Sequence, residues 1–162
     1  MAFSVSFIQP ASYPGDDTST VGGAINSSNT AFGGTLGELF STSISGFVGT
    51  DDVVRYMKVF IKNTGDEISD FTVFLQSLEY SDQLAVAFEA SADDTSTNVL
   101  TMPSGYTDDD FTTPIGLANG VQPSTTTIAV DGSVAVWLQL TISAGLVADS
   151  SATATLSVAG TV

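Results

Sequence analysis

The sequence predicts an all-β protein: an antiparallel β-sandwich or jelly roll, with long irregular loops or an N-terminal arm. Three observations carry this expectation. Apolar and polar residues alternate at period two in one segment after another, as strands with one face on a core require. The three-and-four spacing of a helix face is hard to find. Between the alternating segments stand Gly, Asn and Asp, which supply the positive φ angles and local side-chain hydrogen bonds that turns need.

Taken in order, Met1 to Ile8 alternates like a strand through Phe3, Val5 and Phe7. Residues 9–50 are rich in Gly, Ser and Thr, with glycine pairs at Gly22-Gly23 and Gly33-Gly34, and read as a loop or an arm. Val53 to Ile61 is the clearest strand, with Val53, Met57, Val59 and Ile61 on one face, and Asn63-Thr64-Gly65-Asp66 turns the chain after it. Phe71, Val73 and Leu75 alternate next, followed by Leu84, Val86 and Phe88. Residues 91–125 hold Asp, Thr and Pro with little period, and unstructured loops of that length hint at contact surfaces. Ile128 and Val130 suggest a short strand joined by a tight hairpin at Asp131-Gly132 to the longest run, Val134, Val136, Leu138, Leu140 and Ile142. Ala144-Gly145 ends that run, and Ala152, Ala154, Leu156 and Val158 close the chain. With 162 residues one domain is expected, residues 1–50 giving a strand and an arm and residues 51–162 the sandwich core.

Composition narrows the chemistry. Eighteen acidic residues face three basic ones, for a net charge of −15, and such a surface repels nucleic acid and anionic membranes. No apolar run approaches the roughly 20 residues of a membrane-spanning helix, and the first residues lack the basic start of a signal peptide. Cysteine and histidine are absent, which excludes disulfides, thiolate nucleophiles, Ser-His-Asp triads and the usual zinc and haem ligands. The glycines form neither a Walker loop nor G-x-G-x-x-G, and no S-x-x-K precedes Lys58 or Lys62. The chain is therefore expected not to be an enzyme.

Asp16-Asp17, Asp51-Asp52, Asp93-Asp94 and Asp108-Asp109-Asp110 all fall in expected loops. A hard cation needs several such oxygens at one point, so Asp108, Asp109 and Asp110 are the candidate Ca²⁺ ligands, although Asp is also an ordinary turn residue. No other cofactor is expected. Arg55, Lys58 and Lys62 are the only basic residues and share one strand. Arg55 has the parity of Val53 and Met57, which makes it a candidate for a buried or interfacial ion pair. Lys58 and Lys62 have the other parity and neutralise nearby acid or meet a partner. Trp137 stands on the polar parity of its strand and either packs in a subunit interface or fills a second layer.

The segments Gly22-Gly23-Ala24-Ile25, Leu39 to Ser45, Val54-Arg55-Tyr56-Met57-Lys58-Val59-Phe60-Ile61-Lys62-Asn63-Thr64-Gly65 and Gly132 to Gly145 follow one another in an order that resembles small virion structural proteins of tailed bacteriophages. In those, a YR-x-x-x-V-x-N strand precedes a VWLRRTVPAG strand. Here Arg55 precedes Tyr56, Gln139-Leu140 stands where paired arginines are usual, and Ser143 replaces the proline. The resemblance implies a capsid decoration (cement) protein, an Ig-like or jelly-roll homotrimer on the outer capsid surface, made in the host cytoplasm and bound to the major capsid protein. A tail- or fibre-associated adhesin that recognises carbohydrate or cations is the alternative, which exposed Trp137 or Tyr106 near acidic loops would favour.

Overall fold

A computed structural model describes residues 3–13, 20–32, 51–78, 84–89, 95–145 and 154–162. The protein is all-β, in antiparallel sheets, with two single-turn 3-10 helices as its helical content among the described residues. The strands are β1 (Val5–Ile8), β2 (Pro10–Ser12), β3 (Thr20–Ile25), β4 (Val53–Asn63), β5 (Ser69–Leu78), β6 (Leu84–Phe88), β7 (Ser96–Asn98), β8 (Ser133–Ile142) and β9 (Ala154–Thr161). They form three sheets, ordered β1-β4-β8-β6, β2-β3-β7 and β5-β9.

The four-stranded sheet is the centre of the molecule. β4 and β8 pair without interruption from Val53↔Ile142 to Lys62↔Ser133, and β6 extends the sheet with Val86 opposite Leu138. Register puts Met57, Val59, Ile61, Val136, Leu138 and Val86 on one face. There they share a buried cluster with Phe71, Val73 and Leu75 of β5. The Phe71 and Phe88 rings meet edge to face at 6.5 Å. The opposite face carries Tyr56, Lys58, Phe60, Ala135, Trp137 and Ala87, and the β2-β3-β7 sheet lies against it. Ile25 packs on Ile8, Phe60 and Ala135, and a Cβ on Gly22 would stand 3.0 Å from the Trp137 ring. With both faces covered, β4 reads as a nearly unbroken buried run from Arg55 to Ile61.

Several expectations change here. Residues 9–50 are not wholly irregular, since β2 and β3 are built into the body of the fold. Gly22 and Gly23 reach positive φ, 108° and 76°, inside β3, which is why a glycine pair reads as a loop in the sequence. Residues 33–50, with Gly33-Gly34 and Leu39 to Ser45, lie outside the described residues, as do Asp16-Asp17 and Asp93-Asp94. Residues 95–125 contain β7 and make single bridges to the sheets, Thr112 to Val86, Ile115 to Leu75 and Val121 to Val73. Ile128 is not part of a strand hairpinned to β8. It bridges Ile68 beside β5, so the Ala129–Gly132 turn, with Asp131 at φ 61°, carries the chain from one layer to the next. Val130 is exposed within that turn.

The turn after β4 forms as its sequence implies. Asn63 Oδ1 accepts from Gly65 N–H at 2.9 Å. The buried amide donates to Asp66, Ile128 and Ala129 carbonyls at 2.8, 3.2 and 3.1 Å. One side chain thus closes the β4–β5 turn and ties it to the crossing segment.

Candidate functional site

The most concentrated polar chemistry among the described residues lies inside the protein. Lys58 projects from β4 beneath the β2-β3-β7 sheet and is fully buried. Its ammonium pairs with Glu89, whose side chain is 3% exposed. Glu89 follows β6 and holds the sheet register through its N–H to the Ala135 carbonyl, 3.0 Å. Thr95 completes a ring. Its N–H donates to Glu89 Oε1 at 3.2 Å, and its carbonyl accepts from Lys58 Nζ at 3.3 Å. The Phe60 and Trp137 rings stand 5.0 and 5.6 Å from Nζ and add cation–π attraction in a dry setting. A buried charge is tolerated only when it is paired and hydrogen-bonded in this way. Trp137 is itself fully buried, and its indole N–H meets no acceptor among the described residues.

This changes the reading of the interface candidates. Arg55, Lys58 and Trp137 are each at 0% exposure. They lie in the interior because β4 and β8 are covered on both faces. Lys62 alone of the four stays partly exposed and donates to Asn29 Oδ1 at 3.3 Å. The sequence singles out Lys58 but not Glu89 or Thr95. The period-two rule places Glu89 on the Lys58 face only once the β6–β8 register is known.

The candidate metal ligands form a single 3-10 turn, Asp108–Asp110, which is fully exposed. Asp110 Oδ2 accepts from Thr107 N–H at 2.7 Å and from Thr107 Oγ1 at 2.9 Å. These two bonds hold its carboxyl below the ordinary carboxylate range. Asp108 Oδ1 accepts from Gln139 Nε2 at 3.2 Å, and the same amide donates to Tyr56 Oη. Asp108 and Asp110 thus serve different local bonds. Among the described residues no three acidic side chains converge as a cation's oxygen shell demands.

Tyr106 packs on Phe111, which packs on Tyr56, at centroid distances of 5.8 and 5.7 Å. Its hydroxyl donates to the Phe88 carbonyl at 3.2 Å. Burial, followed by the charges of Glu89 and Asp110, pushes the phenol up to about 12. Tyr106 is therefore held by packing and by this bond, with part of its ring still exposed.

An open cleft of about 250 Å³ lies where β6 ends, lined in part by Glu89, Ser124, Thr125, Thr127 and Ser133. Both Glu89 oxygens are engaged inside the protein, so the cleft presents Ser and Thr hydroxyls beside apolar Phe88, Pro123, Ile128 and Val134. No helix among the described residues is long and apolar enough to cross a membrane. No family model matches the chain, and neither a curated protein nor a solved structure matches it.

Proposed function

We propose that the chain is a virion structural protein of a tailed bacteriophage, a capsid decoration protein that binds and stabilises the shell of the major capsid protein. One observation supports this reading above others. Two of the four segments that carry the resemblance, Val54 to Gly65 and Gly132 to Gly145, are β4 and β8 with their turns. These two form the adjacent central pair of the fold, in continuous register. The action is adhesive: the protein clamps neighbouring capsid subunits, and no bond is made or broken. Apolar burial drives such contacts at about 25 cal/mol per Å² before the ordering costs of association. Repetition over the shell then converts weak contacts into avidity. The acidic surface faces solvent or basic capsid residues. On this reading the protein acts as a self-associating subunit, a trimer by the resemblance, on the outer capsid surface.

The test is co-sedimentation of the purified protein with empty heads of the virus that encodes it, prepared without the protein. Saturable binding with a fixed number of copies per head, and heads that survive higher temperature, is the expected result. Heads that leave the protein in the supernatant at micromolar concentration would refute the reading. A major capsid gene beside this one would strengthen it. The cleft of mixed hydroxyl and apolar lining supports the second reading, a carbohydrate-binding adhesin, which a glycan array tests directly.

A further inference from the structure

We propose that Asn119 is a modification site gated by β5. The intact fold holds its side-chain amide against deamidation, and release of residues 116–121 from β5 lets Gly120 close on it and leaves aspartate or isoaspartate behind. The site does not depend on the role proposed above.

Five asparagines occur in the chain, and Asn119 is the one followed by glycine. The backbone nitrogen after an asparagine can lose its proton to hydroxide and attack the side-chain Cγ. The Cγ–Nδ2 bond then breaks, and ammonia leaves with a proton taken from water. Water next opens the resulting cyclic imide at one of its two carbonyl–nitrogen bonds, which gives aspartate or isoaspartate. A glycine nitrogen closes this ring most readily, because no side chain shields it and its backbone is free to turn. Asn119 is exposed, so hydroxide and water reach it.

The fold requires both residues for reasons of its own. Asn119 Nδ2 donates to the Ile115 carbonyl at 2.9 Å and closes the turn. Gly120 has φ −59°, an angle that any residue adopts, so it is not there for conformational freedom. It is there for space. A Cβ at this position would collide with the Thr72 methyl and stand 3.1 Å from the Leu117 carbonyl oxygen. Packing thus sets beside a capping asparagine the one neighbour that opens it to ring closure.

The gate is the way this segment is pinned. Gly116 N–H donates to the Leu75 carbonyl at 3.0 Å, and Val121 and Val73 exchange both of their backbone bonds at 2.9 Å. Asn119 and Gly120 lie between these anchors. Asn119 ends the Leu117–Asn119 3-10 turn, and the Gly120 N–H is bonded to the Leu117 carbonyl at 3.0 Å. Attacking nitrogen and departing amide are therefore both held in hydrogen bonds. Imide closure also needs a ψ at Asn119 far from the helical value. A rotation of that size between two fixed points pulls at least one of them away from β5. The reaction rate then follows the fraction of time for which this segment is open. Conversion runs one way. Aspartate puts an acceptor against the Ile115 carbonyl, and isoaspartate adds a backbone carbon between the anchors, so the native bonds no longer close together.

Intact-mass spectrometry with peptide mapping, on protein held in warm, mildly alkaline buffer, tests this. The folded protein should gain acid at residue 119 at least about ten-fold more slowly than an end-blocked peptide of residues 114–122. Unfolded in urea, the chain should convert as fast as that peptide in the same urea. Gln122→Ala removes a 3.0 Å bond to Thr72 Oγ1 beside the gate. It should raise the folded rate roughly two- to ten-fold with an unchanged circular dichroism spectrum. Urea below the unfolding transition should raise the wild-type rate without any substitution. Converted protein carries one more negative charge and separates on an anion exchanger. Its Gly116 and Val121 amides should exchange hydrogen faster than those of unconverted protein. A folded protein that converts at the peptide's rate would overturn the gate, as would a rate indifferent to both Gln122→Ala and urea. Conversion confined to another asparagine, or an unfolded chain that keeps Asn119 intact while the peptide reacts, would overturn the site. Equal exchange before and after conversion would overturn the one-way release from β5.

Discussion

Removing one partner of the Lys58–Glu89 pair should cost far more than removing both. Lys58→Met leaves Glu89, 3% exposed, as a lone carboxylate under the β2-β3-β7 sheet. Glu89→Gln leaves the ammonium beside Phe60 and Trp137 with a neutral amide in place of its counter-ion. Breaking a buried pair from one side typically costs about 3–5 kcal/mol, which for a chain of this length is a fall in Tm of roughly 6–20 °C. Lys58→Met with Glu89→Leu removes both charges together. Among the described residues what remains is the loss of two bonds to Thr95 and of the ring contacts with Phe60 and Trp137. Thr95 is partly exposed, so water can replace the bonds, and the new methionine side chain can pack on the rings. The double variant should therefore lie within about 2 kcal/mol of the wild type and above both singles. Urea denaturation of the four proteins, read by far-ultraviolet circular dichroism with m compared throughout, closes the cycle. Single variants that cost less than about 1 kcal/mol, the range of an exposed pair, would show that water reaches the ring. A double variant that loses the sum of the singles would show that the two side chains do not interact.

Other perturbations probe other links. Asn63→Ala removes three donated bonds and one accepted bond at the β4–β5 turn and should cost about 2–4 kcal/mol in the same assay; a loss under 0.5 kcal/mol would contradict that geometry. Gly22→Ala places a methyl 2.5 Å from the Thr95 carbonyl at φ 108°, and should destabilise by more than about 1 kcal/mol while shifting the fluorescence of Trp137, the single tryptophan. Asp110 has a folded pKa below its unfolded one, so it adds stability above the unfolded value, which is lost as pH falls through the folded value. Asp110→Asn should flatten the acid limb of the stability profile, and an unchanged limb would refute the Thr107 contacts. Tyr106 has the opposite sign. Its raised value of about 12 means that stability present below the unfolded pKa, near 10, is lost as pH rises towards 12, and Tyr106→Phe should remove that part of the alkaline transition seen by phenolate absorbance.

The central strands are legible because burial on a sheet writes period two directly into the sequence. Val53 to Ile61 and Val134 to Ile142 show it, and the turns at Asn63-Thr64-Gly65-Asp66 and Ala144-Gly145 mark their ends. β3 is hidden because Gly22 serves a close approach to Trp137 and Thr95 and both glycines take positive φ, requirements set by a partner sheet that local pattern does not contain. β7 is three residues long and too short to show a period. Lys58 illustrates the same limit for the polar site. Its parity is readable, but parity labels a face and does not say whether another sheet covers it. Glu89 and Thr95 become its partners through the β6–β8 register and the β3–β7 pairing, both of which are long-range facts. Ile115 and Leu117 lie in a stretch that reads as irregular, and the turn that presents them is held by bonds between Leu75 and the Pro114 and Gly116 backbone that only the folded layer supplies.

The Lys58 ring has a consequence for how the protein can vary. It fixes both Glu89 and Thr95 to one ammonium on β4, so the two posts of the connection between them stand at a set distance whatever joins them. Glu89 leads out of the four-stranded sheet and Thr95 into the three-stranded one, so a substitution that slides either sheet against the other must first break this ring.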